Sequence, residues 1–388
     1  MTQPLPAPHL GEPYLLTPGP LTTSYAVKAA MLRDHGSWDG DFCAMTAEIR
    51  KRLVALLGDP AFDCVPMQGS GSFAVEAMLG SFIPRDGRAL VLANGAYGQR
   101  AAAALRVIGR GVEILDKGDF APPRGAELAE ILAQDPSITH VVAIHCETSS
   151  GILNPLPEIA RAVAEAGRRL LVDSMSAFGG VPFDTAQIPC DAVVSSANKC
   201  IEGVPGFGFV LARRELLERA QGNAHSLALD VHAQWAELER SGQWRYTPPT
   251  HAVAAFLEAL RAHEAEGGTP ARHARYCANR DRLVTGMRGL GFATLLADEW
   301  LSPIITTFHA PADPAFEFDG FYDAMKARGF IIYPGKLTKV DSFRLGHIGQ
   351  MDTHVMARVV AAVADSMGAL GVRDCRPAPE AIATGEIA

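Results

Sequence analysis

Short, continuously apolar segments alternate with amphipathic segments along most of this chain. The apolar segments are typical of strands buried on both faces: ALVLA at 89–93, HVVAIH at 140–145, RLLVD at 169–173 and DAVVSS at 191–196. Between them lie helix-like segments such as PLPEIARAVAEAG, in which Pro157 suits the first turn of a helix. Buried strands that alternate with helices predict a mainly parallel sheet covered by helices on both faces, an α/β fold.

The pattern changes after about residue 260, where a second unit is expected. A long helix near 271–290 precedes SPIITTFHA, FIIYP, SFRLG and a last helix near 353–370, which predicts a smaller α+β domain. The predicted organisation is an N-terminal arm at 1–15, a large domain at 16–260, a small C-terminal α+β domain at 261–372 and a loose tail at 373–388.

Charge and composition exclude several classes of protein. The 35 Lys and Arg residues are outnumbered by 43 Asp and Glu, which gives a net charge of −8, so a surface for nucleic acid or an acidic membrane is not expected. The N-terminal residues lack the pattern of a secretory signal, and no run of about 18 apolar residues predicts a membrane span. The 7 cysteines form no CxxC pair and the 12 histidines no metal-ligand spacing. We therefore expect reduced thiols, a cytoplasmic location and no bound metal.

Polar side chains follow the predicted strands, at the position where open α/β sheets bind ligands. Asp173 ends RLLVD and Lys199 follows VVSSAN, so a carboxylate and an amine can face one ligand. Pyridoxal phosphate needs both groups, an acid at its ring nitrogen and a lysine at its aldehyde. Ser70, Gly71 and Ser72 precede an apolar-periodic helix, and the N-terminus of such a helix can bind a phosphate.

Each of these features also has an ordinary structural interpretation. A lysine after a strand is commonly a solvated surface residue, and an Asp or a Ser-Gly-Ser there is commonly a turn or helix cap. The segment Gly69-x-Gly71-x-x-Ala74 also fits a loose dinucleotide pattern, which leaves a nicotinamide-dependent oxidoreductase as an alternative. Against it, the next strand is followed by Asn94 and not by the acidic residue expected to hold a ribose.

Several longer segments carry a more specific signal. They are LLTPGPLTT (15–23), QGSGSFAVEAML (68–79), HCETSSGILNP (145–155), DSMSAFGG (173–180), SSANKCIEGVPGFGFV (195–210), SPIIT (302–306), YPGK (333–336) and FRLGHIG (343–349). Over roughly residues 14–370 the chain resembles the 2-aminoethylphosphonate–pyruvate transaminase family, which belongs to the class V aminotransferases of pyridoxal-phosphate fold type I. The resemblance implies that fold, with a large and a smaller C-terminal domain.

The resemblance also implies roles for individual residues. Lys199 would form the Schiff base with pyridoxal phosphate and move the proton, and Asp173 would pair with the pyridine nitrogen. The other implied cofactor contacts are Ser70, Gly71, Ser72, Tyr97, Thr148, Ser196 and, from a neighbouring subunit, Thr247 and Thr250. Arg344 would bind the acidic group of the substrate beside Thr17 and Gly19 of the TPGP loop. For TPPTH, which contains Thr247 and Thr250, a turn and helix cap stays an equal alternative.

The implied reaction is the transamination of 2-aminoethylphosphonate with pyruvate, which gives phosphonoacetaldehyde and L-alanine in phosphonate catabolism. A homodimer with shared active sites is implied as well. The same catalytic residues would serve another small-substrate enzyme of class V, such as an alanine–glyoxylate or serine–pyruvate transaminase. One departure from the family pattern is Ser149-Ser150 in place of two threonines, a change that keeps both hydroxyl groups.

Overall fold

The structure, a computed structural model, describes residues 11–335 and 340–386. Its strands are β1 (Tyr14–Leu15), β2 (Phe62–Gln68), β3 (Arg88–Ala93), β4 (Gly111–Asp116), β5 (His140–Ile144), β6 (Cys146–Glu147), β7 (Ile152–Leu153), β8 (Arg169–Asp173), β9 (Ala192–Ser196), β10 (Phe207–Arg213), β11 (Ile305–His309), β12 (Phe330–Ile331), β13 (Tyr333–Pro334) and β14 (Ser342–Gly346). Its α-helices are α1 (Tyr25–Ala29), α2 (Gly40–Leu57), α3 (Gly71–Phe82), α4 (Ala96–Val107), α5 (Gly125–Gln134), α6 (Leu156–Glu165), α7 (Arg214–Arg219), α8 (Val231–Ser241), α9 (Thr250–Glu266), α10 (Gly268–Gly289), α11 (Phe318–Ala327), α12 (Thr353–Leu370) and α13 (Pro379–Glu386).

A sheet of 7 strands in the order β2–β10–β9–β8–β5–β3–β4 forms the centre of the larger unit. All neighbouring strands are parallel except β10, which runs antiparallel to both β2 and β9. The central strands β5, β9 and most of β8 are fully buried, as expected for apolar runs with helices on both faces. The predicted α/β fold with a mainly parallel sheet is confirmed.

The helices that cover this sheet bury small and branched apolar side chains against it. The alanine-rich helix α4 places Ala101, Ala102 and Leu105 in the core, and small side chains there let the helix approach the sheet closely. Helix α6 begins at Leu156 and has Pro157 in its first turn, as the sequence predicts. One continuous hydrophobic core extends from Val27 to Leu260 in the sequence.

A second hydrophobic core belongs to the C-terminal part of the chain. The antiparallel sheet β11–β14–β13 packs against α10, α11 and α12 through side chains such as Phe308, Phe321 and Phe343. Strand β1 pairs with β12, so chain from the predicted N-terminal arm contributes to this part. The predicted boundary between residues 260 and 261 falls within α9, and the exact division stays a prediction.

The C-terminal segment differs from the loose tail that the sequence predicts. Asp313 accepts a hydrogen bond from Arg373 N, and the Ala312 amide donates to Arg376 O, so this segment is attached to the small unit. It continues into α13, at Pro379–Glu386. No helix among residues 11–335 and 340–386 is long and apolar enough to cross a membrane.

Candidate active site

The carboxyl ends of β2, β3, β5, β8 and β9 lie at one edge of the main sheet, because these strands run in the same direction. Most of the predicted cofactor residues follow or end these strands: Ser70, Gly71 and Ser72 after β2, Tyr97 after β3, Thr148 after β5, Asp173 at the end of β8, and Ser196 and Lys199 at the end of β9 and beyond it. The topology therefore brings them to the edge where open α/β sheets bind ligands.

Asp173 is a buried carboxylate next to the strand that leads to Lys199. Strands β8 and β9 are parallel neighbours, with Asp173 opposite Val194. Asp173 Oδ1 accepts a hydrogen bond of 2.9 Å from Met175 N. Burial raises the pKa of Asp173 to about 6, although the Met175 amide and the charge of Lys199 oppose the rise. The charged form of such a buried carboxylate is stabilised when a cationic partner binds next to it.

The TPGP loop lies against Lys199. The Lys199 amine donates hydrogen bonds to Pro18 O at 2.9 Å and to Gly19 O at 3.3 Å. Gly19 has φ +117°, and a Cβ placed there would lie 2.6 Å from the Lys199 Cδ atom. On the other side of the loop, a Cβ at Gly346 would lie 2.7 Å from Thr17 O. Glycine at 19 and 346 therefore permits the loop to fit between Lys199 and β14.

The N-terminus of α3 presents free polar groups at the same edge. Ser70 is the N-cap residue, but its side chain makes no capping hydrogen bond. The hydroxyl of Ser72 accepts a hydrogen bond of 3.2 Å from Arg100 Nη1. A Cβ at Gly71 would lie 2.4 Å from the sulfur of Met175, so glycine permits the close contact with the segment after β8. Amides of a first helical turn together with hydroxyl groups and an arginine fit an anion such as a phosphate.

Glu147 positions Tyr97, and sequence reasoning gave this glutamate no role. Glu147 Oε2 accepts hydrogen bonds from Tyr97 N at 2.9 Å and Gly98 N at 3.3 Å, which caps α4. Its Oε1 accepts from Ser149 Oγ at 2.5 Å and Ser149 N at 3.1 Å. Burial raises the pKa of the Glu147 carboxyl even though these donors favour its charged form. The guanidinium of Arg100 lies 5.0 Å from the centre of the Tyr97 ring.

Two buried hydroxyl groups lack partners beside this cap. Thr148 Oγ1 and Ser150 Oγ make no hydrogen bond within the described part of the chain. A buried hydroxyl without a partner costs free energy, so a polar ligand group that reaches it is favoured. Ser196, in contrast, is buried with its hydroxyl donated to Asn198 Oδ1 at 3.0 Å, next to Lys199.

Arg344 lies in the middle of β14 and is only 4% exposed. Its Nε donates to Pro334 O and its Nη1 donates to Thr148 O, both at 2.9 Å. The guanidinium carbon lies 5.8 Å from the centre of the Tyr333 ring. Its Nη2 makes no hydrogen bond to residues 11–335 or 340–386. Burial lowers the pKa of Arg344, but an arginine stays charged in proteins, so this fixed cation is suited to an anion.

Thr247 and Thr250, the two other predicted cofactor contacts, do not follow a strand of the main sheet. Thr250 is the first residue of α9 and Thr247 is exposed in the preceding segment. The neighbouring carbonyl of Tyr246 accepts a hydrogen bond of 2.9 Å from Gln68 Nε2, two residues before Ser70. The predicted contact of both threonines with a neighbouring subunit stays a prediction. Lys336, the last residue of YPGK, lies outside the described residues.

The topology does not fit the dinucleotide alternative. That motif requires a parallel βαβ unit in which the glycine-rich turn joins neighbouring strands. Here Gly69-x-Gly71 follows β2, an edge strand of the sheet, whose one strand partner among the described residues is the antiparallel β10. Strand β3, which follows in the sequence, is separated from β2 by β10, β9, β8 and β5.

These elements define the class of protein, and comparison with known proteins agrees with them. The sequence profile of the family described as Aminotransferase class-V matches residues 22–315. The chain belongs to the class V aminotransferases. Its fold is also that of two solved aminotransferases: the pyridoxamine–pyruvate aminotransferase of Mesorhizobium loti (TM-score 0.86, 23% identity, 96% of this chain and 95% of that one) and the alanine–glyoxylate aminotransferase of Nostoc sp. (TM-score 0.84, 22% identity, 95% and 97%).

Within this family, full-length relatives carry one particular name. The chain is 66% identical over 376 residues to the 2-aminoethylphosphonate–pyruvate transaminase of Rhizobium meliloti (strain 1021), which covers 96% of this chain and 98% of that protein. It is 52% identical over 363 residues to the transaminase of the same name from Pseudomonas putida KT2440, covering 93% and 99%. The resemblance inferred from the sequence segments is confirmed.

Proposed function

We propose that this protein transfers the amino group of 2-aminoethylphosphonate to pyruvate, giving phosphonoacetaldehyde and L-alanine in phosphonate catabolism. The observation that carries the proposal is the 66% identity, over nearly the whole of both chains, to a relative with that name. The geometry supports it with a lysine, a buried carboxylate and a buried arginine that converge on one edge of the sheet.

The residues at this edge fit pyridoxal phosphate. The first-turn amides of α3 with Ser70 and Ser72 suit its phosphate. The buried Thr148 hydroxyl, which has no hydrogen bond to the residues that the structure describes, suits a polar ring substituent. Asp173 suits its ring nitrogen and Lys199 its aldehyde. When bound, the cofactor supplies an aldehyde that joins amines and a ring that accepts electrons from the substrate carbon.

Asp173 and Lys199 have separate roles in the proton chemistry. The buried carboxylate of Asp173 has little solvent to stabilise its charge, so it strongly favours a proton on the ring nitrogen beside it. The amine of Lys199, once released from the cofactor, would take a proton from the substrate carbon that bears the nitrogen and deliver it to the former aldehyde carbon of the cofactor. In the structure the carbonyls of Pro18 and Gly19 accept hydrogen bonds from this amine, so the amine has partners beside the site when it is free of the cofactor.

Arg344 binds the anionic end of each substrate in turn. Hydrogen bonds to two backbone carbonyls fix its guanidinium, so little conformational entropy is lost when an anion binds. A guanidinium forms charge-assisted hydrogen bonds with a phosphonate and with a carboxylate. The phosphonate of the amino donor and the carboxylate of pyruvate therefore use one cation, and the TPGP loop with Thr17 and Gly19 borders the same space.

A homodimer with shared active sites is part of the proposal. Exposed aromatic side chains lie next to both halves of the phosphate site in the sequence: Phe73 follows Ser72 and is 53% exposed, and Tyr246 precedes Thr247 and is 44% exposed. Apolar side chains in such positions are typical of a contact surface, and a second subunit there would bring Thr247 and Thr250 to a phosphate. We also propose a cytoplasmic location, which the 7 free cysteines support.

The test is the visible absorbance spectrum of the purified protein with pyridoxal phosphate. The proposal expects a band that 2-aminoethylphosphonate alone bleaches and that pyruvate restores, with Lys199→Ala forming no such band. Alanine and serine are the matched amino donors, since they would be preferred by the other class V enzymes. If one of them bleaches the band and the phosphonate does not, the substrate assignment is wrong while the aminotransferase assignment holds.

A further inference from the structure

A buried cluster of charged residues adjoins the loop that carries Lys199, and the proton chemistry described above does not use it. It consists of Glu202 from that loop, Glu266 at the end of α9, and Arg272, Arg275 and Tyr276 on α10. Arg272 is 2% exposed and Glu202 is 5% exposed. Burying charged groups is costly unless they are paired, so a retained cluster of this kind calls for a specific reason.

Glu202 holds an uncommon backbone conformation beside Lys199. With φ +65°, it has a positive φ that no other non-glycine residue among the described residues shares. Its amide donates a hydrogen bond of 2.7 Å to Lys199 O. Such left-handed residues cost free energy and persist where surrounding contacts enforce them, often at functional sites. At Glu202 the turn directly follows the lysine that the proposed reaction requires.

Side chains of α10 enforce this turn. Glu202 Oε1 accepts hydrogen bonds from Tyr276 Oη at 2.7 Å and from Arg275 Nη2 at 2.9 Å, and lies 3.4 Å from Arg272 Nη1. Arg272 Nη1 also donates to Cys200 O, the carbonyl directly after Lys199. Burial pushes the pKa of the Glu202 carboxyl upward, but Arg272 and Arg275 outweigh burial and the pKa is lowered. Glu202 therefore stays an anion, and the hydrogen bonds from Arg275 and Tyr276 hold its carboxylate in place.

The same cluster reaches the strand that carries Arg344. Arg275 Nη1 donates to Gly349 O at 2.6 Å and to Met351 O at 3.0 Å, in the segment directly after β14. One arginine therefore contacts both the Glu202 turn and the segment after Arg344. The turn after Lys199 and the segment after β14 are therefore linked through the hydrogen bonds of Arg275.

We propose that Glu202 is a positioning residue: clamped by Arg272, Arg275 and Tyr276, its turn fixes the Lys199 backbone and so sets the reach of the Lys199 amine. The proposal rests on the function given above to Lys199. A mobile amine would lose conformational entropy each time it is oriented for reaction, and a fixed side chain avoids this cost. Small misplacements of a reacting group also lower reaction rates strongly. Glu202 itself touches neither substrate nor cofactor in this scheme.

The test compares Glu202→Gln with Glu266→Gln. Both carboxylates pair with the same two arginines, since Glu266 accepts from Arg272 Nε and Arg275 Nε at 2.7 and 2.8 Å. Only Glu202 belongs to the turn that directly follows Lys199. Each variant therefore removes one charge from the cluster, and the difference between the variants isolates the effect on Lys199.

The first readout is independent of turnover. Pyridoxal phosphate is added to the apoprotein, samples are quenched with borohydride at timed intervals, and labelled protein is counted by mass spectrometry. The Lys199 amine condenses with the aldehyde with loss of water, and hydride reduces the C=N bond to a stable amine. We expect labelling and kcat to be slower by roughly 10- to 100-fold in Glu202→Gln, with KM for both substrates nearly unchanged. Glu266→Gln should stay within about threefold of wild type.

Equal effects in the two glutamine variants, or normal labelling and kcat in Glu202→Gln, would overturn the inference. If Glu202→Gln does not fold, Tyr276→Phe takes its place, because it removes one donor to Glu202 and leaves every charge. We expect Tyr276→Phe to slow labelling as well, but by a smaller factor. Unchanged labelling in this variant would overturn the inference. A wild type that is never labelled, or that is labelled at a lysine other than Lys199, would instead refute the proposed function.

Discussion

Replacement of Asp173 by asparagine is expected to stabilise the apoprotein at neutral pH while it disables the site. Burial raises the pKa of Asp173 from 3.8 to about 6, so the folded protein holds this proton more tightly than the unfolded chain does. The contribution of the Asp173 proton to stability is therefore full below pH 3.8 and is lost as the pH rises through about 6, where the charged carboxylate must stay buried. A difference of about 2 pH units corresponds to about 3 kcal/mol.

The assay is urea unfolding of apo wild type and apo Asp173→Asn at about pH 4 and about pH 7.5. The asparagine side chain keeps an oxygen for Met175 N and carries no charge. The variant should exceed the wild type by only a fraction of a kcal/mol at pH 4 and by about 3 kcal/mol at pH 7.5. Added pyridoxal phosphate should narrow the difference at pH 7.5, since a cationic ring nitrogen would pair with Asp173 in the wild type alone.

Asp313→Asn is the control with the opposite sign. The backbone amides of Ala315 and Arg373 lower the pKa of Asp313, so its charged form stabilises the fold above its unfolded pKa. Its replacement should lower stability at pH 7.5. If Asp173→Asn were less stable than wild type at pH 7.5, or if its effect did not change with pH, the carboxylate would not be destabilised by burial and the argument would be refuted.

Three further substitutions test individual contacts. Arg344→Ala should raise KM for both 2-aminoethylphosphonate and pyruvate by roughly tenfold or more in steady-state kinetics, because charge-assisted hydrogen bonds contribute about 1.5–3 kcal/mol; an effect on one substrate alone would contradict a shared anion site. Gly19→Ala should lower kcat by roughly tenfold or more with the fold retained by circular dichroism, because its Cβ would lie 2.6 Å from Lys199 Cδ. Ser149→Ala should cost about 1–3 kcal/mol in urea unfolding, because Glu147 loses a buried donor; unchanged stability would show that the donor is dispensable.

Much of the fold could be predicted because burial on both faces of a parallel sheet leaves a continuous apolar run. The predicted strand 169–173 coincides with β8, and the last predicted helix near 353–370 coincides with α12. Strand β10, in contrast, lies second from the edge of the sheet, and its antiparallel direction depends on neighbours far away in the sequence. Helix α13 was not expected. The segment before it is held by a hydrogen bond to Asp313, which lies 60 residues earlier in the sequence than Arg373.

The candidate site divides in the same way. Asp173 and Lys199 could be selected from the sequence because each ends or follows an apolar strand, and the sheet brings strand ends together. Glu147 also follows a strand, but its role could not be predicted, since it holds the amides of Tyr97 and Gly98, which are distant in the sequence. No local pattern marks a carboxylate as the cap of a remote helix, so only the packed structure identifies it.

The sequence by itself determined the parallel sheet, the edge at which its ligand site lies and, through longer matching segments, the enzyme family. Only the tertiary structure decided that Arg344 is fixed by the carbonyls of Thr148 and Pro334, and that Glu202 is clamped by α10. The physical reason is the range of the forces involved. Burial leaves a periodic record along the chain, whereas a hydrogen bond between distant residues exists only once the whole chain has packed.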